Sequence, residues 1–409
     1  MSSKPSDSGL LSGDPRTRLF GSLCALVFMV NFGRVAFAPL LDTFRDVFGV
    51  GPGTVGVIAT LAWLGSALPR IPTGYLLTRV PRHRVVLGTG LVLAGASAFT
   101  ATVDSVAALG VGAFLVGVAS GAYFIAANPL ISELFPHRVG RVIGVHGTAS
   151  QLAAVVAPLS IGALLIRAPA GEDSWRFVFW AMAAVALAVT ALITVTSRRA
   201  DLPDAGSADR HLLQAAVHQW RVILAGVVIL GTAGFVWNGL FNFYVPYLTS
   251  TKGLSQATAQ SMLTLVFAAG VPAFWFAGRL ADRFPHVPLL LGVLGGFIVA
   301  VVALTFTAGL ASVVAVTVVL GYVVHSLFPT MDTYLLDTLP DRHRASAYAA
   351  YSGAMMVIQA TGSAVLGSFV DAGFAYDAVF RAFAGVLLVV LVGLLVLYRA
   401  GRLPDGGAA

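Results

Sequence analysis

Gly74-Tyr75-Leu76-Leu77-Thr78-Arg79-Val80-Pro81 and Gly278-Arg279-Leu280-Ala281-Asp282-Arg283-Phe284-Pro285 are two copies of one short pattern, 204 residues apart. At the same offset, Glu133-Leu134-Phe135-Pro136-His137-Arg138 meets Asp337-Thr338-Leu339-Pro340-Asp341-Arg342. Two separate matches at one offset, with no gap between them, mark an internal repeat of about half the chain. The first pattern sits each time between two long apolar runs. The repeat unit is therefore a set of apolar segments joined by short polar turns.

Those segments fall near residues 19–41, 54–77, 84–103, 106–132, 141–167 and 175–196, and again near 221–248, 257–281, 287–308, 310–335, 345–370 and 376–398. Each approaches or exceeds the roughly 20 residues that carry a helix across about 30 Å of hydrocarbon. The polar stretch 197–220, with Arg198, Arg199, Asp201, Asp204 and Asp209, is the only long connection, and it divides the chain six and six. The expected fold is all-α and polytopic: twelve transmembrane helices in two pseudo-symmetric halves. The expected organisation is a tail at 1–18, a six-helix bundle at 19–196, a central loop at 197–220, a second bundle at 221–398 and a tail at 399–409. Composition agrees, since 57% of the 409 residues are hydrophobic and 11% charged, with a mean hydropathy of +0.87. A soluble domain carries about 25% charged residues, so the lipid bilayer is the solvent this chain requires.

Loop charge sets the orientation. With an even number of spans both termini share a side, and 18 of the 25 Lys and Arg lie there, against five on the other side. The bias puts both termini in the cytoplasm and the protein in the plasma membrane as a multi-pass chain. The net charge of +7 is spread over short loops between spans, which argues against a nucleic-acid partner. The first 18 residues are polar, with Lys4, Arg16 and Arg18, and read as a short tail and not a cleaved signal. The single cysteine, Cys24, lies in an apolar run and reads as a packing residue.

Gly278-Arg279-Leu280-Ala281-Asp282-Arg283 resembles the loop motif between helices 8 and 9 of the major facilitator superfamily, and its repeat copy falls between helices 2 and 3, where that family carries it. The family pattern has Asp at its fifth position. Asp282 fills it, and Thr78 replaces it in the first half, which weakens the first copy. Glycine lets helices approach closely, and the Asp faces the positive end of a neighbouring helix. The resemblance implies that Gly74, Thr78, Arg79, Gly278, Asp282 and Arg283 belong to a cytoplasmic gate. Glu133 and Asp337 are repeat mates expected to pair there with Arg79 and Arg138 in one half and with Arg283 and Arg342 in the other. Gly117-x-x-x-Gly121 and Gly140-x-x-x-Gly144 suit close helix packing.

Ionisable groups inside a span are costly and point to function. Arg34 lies well inside helix 1, three residues from Asn31 and on the same face. The repeat carries Arg34 onto Asn238 and Ala38 onto Asn242, four residues apart in helix 7. Arg70 lies in helix 2, eight residues before Thr78 and roughly 12 Å from the helix end. Its Pro69-Arg70-Ile71-Pro72 setting resembles the substrate-binding arginine of the nitrate/nitrite porters, whose second arginine is replaced here by Phe274. Gly144-Val145-His146-Gly147-Thr148 echoes their glycine-rich helix-5 signature. Arg34 resembles the helix-1 arginine of organic-anion carriers. Asp332 lies in helix 10, seven residues after His325, and the repeat maps it onto Asn128 in helix 4. Histidine titrates near neutral pH and a buried carboxylate can take up a proton, so Asp332 and His325 are the candidates for proton coupling. His146, Gln151, Tyr351 and Gln359 complete the polar inventory.

The expected function is secondary transport of a small solute, an inorganic oxyanion or organic carboxylate, by alternating access. The expected substrate-binding residues are Arg34, Arg70, Asn31, Asn128, Asn238, Asn242, His146 and Tyr351. Two span-buried arginines against one clear span-buried aspartate favour an anion. The alternative within transport is proton-linked efflux of a lipophilic or cationic compound through Asp332; a transport-inactive membrane sensor is the alternative of another class. No nucleotide-binding Gly-x-x-x-x-Gly-Lys-Ser/Thr loop, His-Glu-x-x-His, Gly-x-Ser-x-Gly or cysteine cluster occurs, so no enzyme, cofactor or metal site is expected. The expected partners are a small-molecule substrate and protons, with the protein a monomer.

Overall fold

The computed structural model describes residues 14–77, 79–135, 139–167, 173–200, 202, 217–281, 283–339 and 341–403. Among them, eleven helices are long and apolar enough to cross a membrane, and Gln256–Ala281, of 26 residues, takes the eighth place as the twelfth. In the first half these are α1 (Pro15–Phe48), α2 (Pro52–Leu76), α3 (Arg82–Thr102), α4 (Val106–Leu134), α5 (Val139–Arg167) and α6 (Arg176–Ser197). In the second half they are α7 (Trp220–Asn242), α8 (Gln256–Ala281), α9 (His286–Thr305), α10 (Leu310–Thr338), α11 (Asp341–Ala360, resuming as Gly362–Asp371) and α12 (Tyr376–Arg399). The end of the bundle that carries the loops after α2, α4, α8 and α10 is called the near end here, and the opposite one the far end.

The packing repeats with the sequence. In the first half α2 packs on α4, α3 on α4 and α6, and α1 on α5; in the second half α8 packs on α10, α9 on α10 and α12, and α7 on α11. The offset of 204 reaches single carbonyls. Arg176 donates to the Ala101 and Val103 carbonyls at 3.1 and 2.7 Å, and Lys252 donates to the Thr305 and Thr307 carbonyls, both at 3.1 Å. Both cations sit where the negative ends of α3 and α9 leave carbonyls without helical donors.

Proline breaks the helices where the site will lie. Pro39 has no N–H for the carbonyl four residues back, and α1 pauses after Val35, passing through a 3₁₀ turn at Ala38–Leu40 before resuming as Leu41–Phe48. Pro69 ends the first part of α2 at Ala67, and Arg70 opens the second, Arg70–Leu76. Small residues let α2 and α4 touch: a Cβ on Gly117 would lie 2.1 Å from the Ala62 carbonyl oxygen and one on Gly121 2.2 Å from that of Ser66. The second small-residue pair behaves differently, because a Cβ on Gly144 would meet nothing within 4 Å. Gly144 is thus not a close-packing glycine.

The two halves seal at the far end. The start of α2 meets the end of α11, where the Gly53 N–H donates to Asp371 at 3.0 Å and the Ala364 N–H donates to Thr60 at 3.0 Å. Gly56 lies against the Ser363 carbonyl in the same seam, and across the bundle Gly162 of α5 lies against Gln260 of α8. Towards the near end, Gly147 of α5 and Gly353 of α11 have open space around them.

Candidate functional site

Between the halves lies a cavity of about 350 Å³ lined from α1, α2, α4, α5, α7, α8, α10 and α11. The first half contributes both span-buried arginines. Arg34 ends the first segment of α1, where the unpaired carbonyls of a helix terminus favour a cation. Its guanidinium lies 4.3 Å from the centre of the Trp63 ring, a cation–π contact, and donates to Asn31 at 2.5 Å. Asn31 in turn donates to the Ser150 carbonyl of α5 at 2.6 Å. Arg34 is thus clamped between α5, through Asn31, and α2, through Trp63. Arg70 donates through Nε to the Ser66 carbonyl at 3.2 Å and through a terminal nitrogen to Ser352 of α11 at 2.9 Å. Among the described residues neither arginine makes an ion pair with a carboxylate.

The second half contributes the titratable wall. Asp332 lines the cavity and accepts from the Tyr348 hydroxyl at 2.9 Å. Arg70 and Asp332 each stand six residues from the near end of their helices, so they face the cavity at one level, roughly 9 Å from those ends. His325 lies deeper, with Nδ1 2.7 Å from the Gly321 carbonyl, and its ring meets Trp237 and Phe267 edge-on at 5.4 and 5.7 Å. Trp63, Trp237, Phe241 and Phe267 pack together at 5.5 to 6.0 Å between ring centres. The cavity therefore has polar walls and an aromatic cluster from both halves.

Of the residues expected to bind substrate, the fold brings Asn31, Arg34 and Arg70 to the cavity, together with Asp332 and His325. The other five line other parts of the bundle. Asn238 and Asn242 are fully buried in the α7–α11 contact: Asn242 donates to Ser363 at 3.0 Å, and Ser363 donates to the Asn238 side chain at 2.7 Å. His146 is buried inside the first half with Nε2 2.9 Å from the Tyr123 hydroxyl, which donates to the Leu23 carbonyl at 2.7 Å. Tyr351 is buried against Gly226 of α7. Asn128 is exposed on α4, just before Pro129, away from the cavity. Helical spacing marked these residues as polar but left open whether a neighbouring helix covers that face.

At the near end Glu133 pairs with Arg82 at 2.8 Å. Arg79, expected to meet it, instead hydrogen-bonds Tyr75 and stacks on its ring at 4.7 Å. Pro81 turns the chain so that Arg82 opens α3 beside the end of α4, and the shorter reach goes to Arg82. Gly74 is buried in the last turns of α2 and Arg283 follows the end of α8. Thr78, Arg138 and Asp282 lie outside the described residues, as do the side-chain placements of Gly278, Asp337 and Arg342.

Trp63, Ser352, Tyr348 and Ser150 are site residues that the sequence reading passed over. Trp63 carried a signal, standing seven residues before Arg70 and so on one face of α2. Ser352 and Tyr348 are likewise four apart on α11.

Comparison with known proteins agrees with this architecture. The Major Facilitator Superfamily model matches residues 23–312 and 228–408. A putative tartrate transporter of Agrobacterium vitis is 25% identical over 75% of each chain. A probable sulfoacetate transporter, SauU, of Cupriavidus necator is 23% identical over 92% of each. Among solved structures, an inward-facing, unoccupied bacterial homologue of the human lysosomal transporter Spinster superposes with a TM-score of 0.76 at 17% identity, covering 96% of both chains. A D-xylose–proton symporter gives the same TM-score and identity over 96% of this chain and 98% of its own.

Proposed function

The chain belongs to the Major Facilitator Superfamily, and from that premise we propose that it moves a small anion across the plasma membrane by alternating access. It is a multi-pass membrane transporter and not an enzyme. The observation that carries the anion reading is that Arg34 and Arg70 reach one cavity between the halves and, among the described residues, have no carboxylate partner. An unpaired charge there is costly unless a ligand of opposite sign offsets it. A planar guanidinium matches the paired oxygens of a carboxylate or sulfonate, and two relatives bear the names of tartrate and sulfoacetate transporters. Arg34, Arg70 and Asn31 form the binding wall in this reading. Asp332 and His325 are the proton-coupling candidates, and the cluster around Glu133, Arg82 and Arg79 is the near-end gate. Both termini are taken as cytoplasmic, which makes the near end the cytoplasmic one, and the protein as a monomer.

Asp332 also supports the second reading, efflux of a lipophilic cation, because it faces the cavity bonded to a tyrosine and, among the described residues, makes no ion pair with an arginine. Flux in proteoliposomes separates the two. Labelled tartrate or sulfoacetate should enter saturably, and faster with an inward proton gradient. Movement of ethidium with neither anion transported would replace the anion reading by the efflux one, and no flux of any probe would leave the sensor.

A further inference from the structure

Two buried donors at the cavity have no acceptor among the described residues. The Trp63 indole Nε1 and the Arg34 Nε both lie out of solvent without a hydrogen-bond partner, and both residues line the same cavity. Trp63 is 8% exposed, and the Arg34 guanidinium lies 4.3 Å from its ring centre, so the two side chains are neighbours. The indole N–H can only donate, and buried donors are almost always paired. An orphan indole is not by itself a site: Trp175 Nε1 is also unpartnered, but it is packed among Phe44, Phe48 and Phe179, away from the cavity. What distinguishes Trp63 is the guanidinium on its ring face and its place, with Arg34, in the wall of the cavity.

Resting on the anion reading above, we infer that the Trp63 indole N–H and the Arg34 Nε–H together bind one oxyanion group of the substrate, a carboxylate or sulfonate that gives each donor an oxygen. One terminal nitrogen of Arg34 is held by Asn31, which is itself fixed to the Ser150 carbonyl. That tether holds the Nε edge in place before the anion arrives, so little ordering remains to be done on binding. Trp63 thus has two functions: its face holds the guanidinium, and its edge contacts the anion. The same ring meets Phe241 of the second half edge-on at 5.7 Å, so an anion bound on Trp63 touches the aromatic contact between the halves.

The two functions separate by substitution. Titration calorimetry of the purified full chain with tartrate and with sulfoacetate should show W63F binding about tenfold more weakly than wild type, the effect of one hydrogen bond to a charged group. W63F keeps an aromatic face for Arg34, and W63L, which loses the face as well, should bind more weakly still. W63F binding as tightly as wild type while W63L fails would reduce Trp63 to a stacking residue and overturn the inference. Wild type binding neither anion is a different result, which overturns the anion reading and this inference with it. A second measurement does not depend on W63F folding. In W237F, Trp63 is, among the described residues, the remaining tryptophan that lines the cavity, and its ¹⁵N indole proton should shift downfield on saturation with tartrate. No indole signal moving at saturation would overturn the proposal.

Discussion

Helices α1 and α7 occupy equivalent places in the two halves, and each carries a polar pair one turn long, but the pairs have opposite fates. On α1, Asn31 and Arg34 open into the cavity and hold each other in position. On α7, Asn238, the repeat mate of Arg34, and Asn242 are closed into a network with Ser363 and lie 0 and 1% exposed. The cause is backbone distance. A Cβ on Gly362 would lie 2.0 Å from the Phe235 carbonyl oxygen, so α11 presses on α7 and covers its polar face. Asn31 instead reaches past its own helix to the Ser150 carbonyl and leaves Arg34 beside open volume. The same frame thus lines the cavity in one half and forms an interhelical lock in the other, and the positive charge of Arg34 and Arg70 stays on one side of the cavity.

The largest expected effect breaks this difference on the α1 side. Arg34→Ala should lower kcat/KM for tartrate uptake in proteoliposomes by about 100-fold, which corresponds to about 3 kcal/mol of lost charged hydrogen bonding. Arg34→Lys should raise KM by roughly tenfold with folding intact, because lysine keeps the charge but not the planar fork. A variant with Ala or Lys at position 34 and unchanged KM would remove Arg34 from the substrate site.

The α7 side should answer in stability and not in affinity. Asn238→Ala leaves Ser363 and Asn242 short of a buried partner, which costs about 1–3 kcal/mol. Thermal melting of the purified protein should fall while KM for the anion stays within about twofold, the scale of a few tenths of a kcal/mol. A tenfold change in KM with unchanged melting would mean that Asn238 binds substrate after all and that the two helices remain equivalent.

Much of this was legible in the sequence, for reasons particular residues show. The offset linking Gly74 to Gly278 gave the two halves and the twelve helices, because hydropathy and backbone self-satisfaction leave a membrane chain few other folds. Arg34, Arg70 and Asp332 could be found because charge in a span is rare and costly. What spacing could not supply was the neighbour. His146 and Asn238 look like cavity residues on a helical wheel, yet Tyr123 and Ser363 cover them from other helices. Trp63 looks like ordinary apolar filling until Arg34 is seen on its face. The pairing of Glu133 with Arg82 and not Arg79 turned on the path of a short loop, which neither charge nor repeat specifies.

The smallest effect concerns how the sealed side joins the halves. The α7–α11 lock continues along α11 to Asp371, which accepts the Gly53 N–H at the first turn of α2. A carboxylate there faces the positive end of a helix, worth about 0.3–1 kcal/mol. Asp371→Asn keeps an acceptor oxygen and removes the charge, so it should loosen the far-end seam without dissolving it. In the proposed alternating-access cycle the seam opens when the halves rock apart, so a cysteine at Ser368, exposed on α11 beside the seam, reports on it. With Cys24, the chain's one cysteine, replaced by Ser, the position-368 thiol should react with a membrane-impermeant maleimide about two- to fivefold faster in the Asp371→Asn background, the population shift that such an energy allows. Saturating tartrate should reduce the difference if the anion on Arg34 and Trp63 draws the halves together. Equal rates in both backgrounds would mean that the seam is held by its close-packed glycines alone and that Asp371 adds no charge term to it.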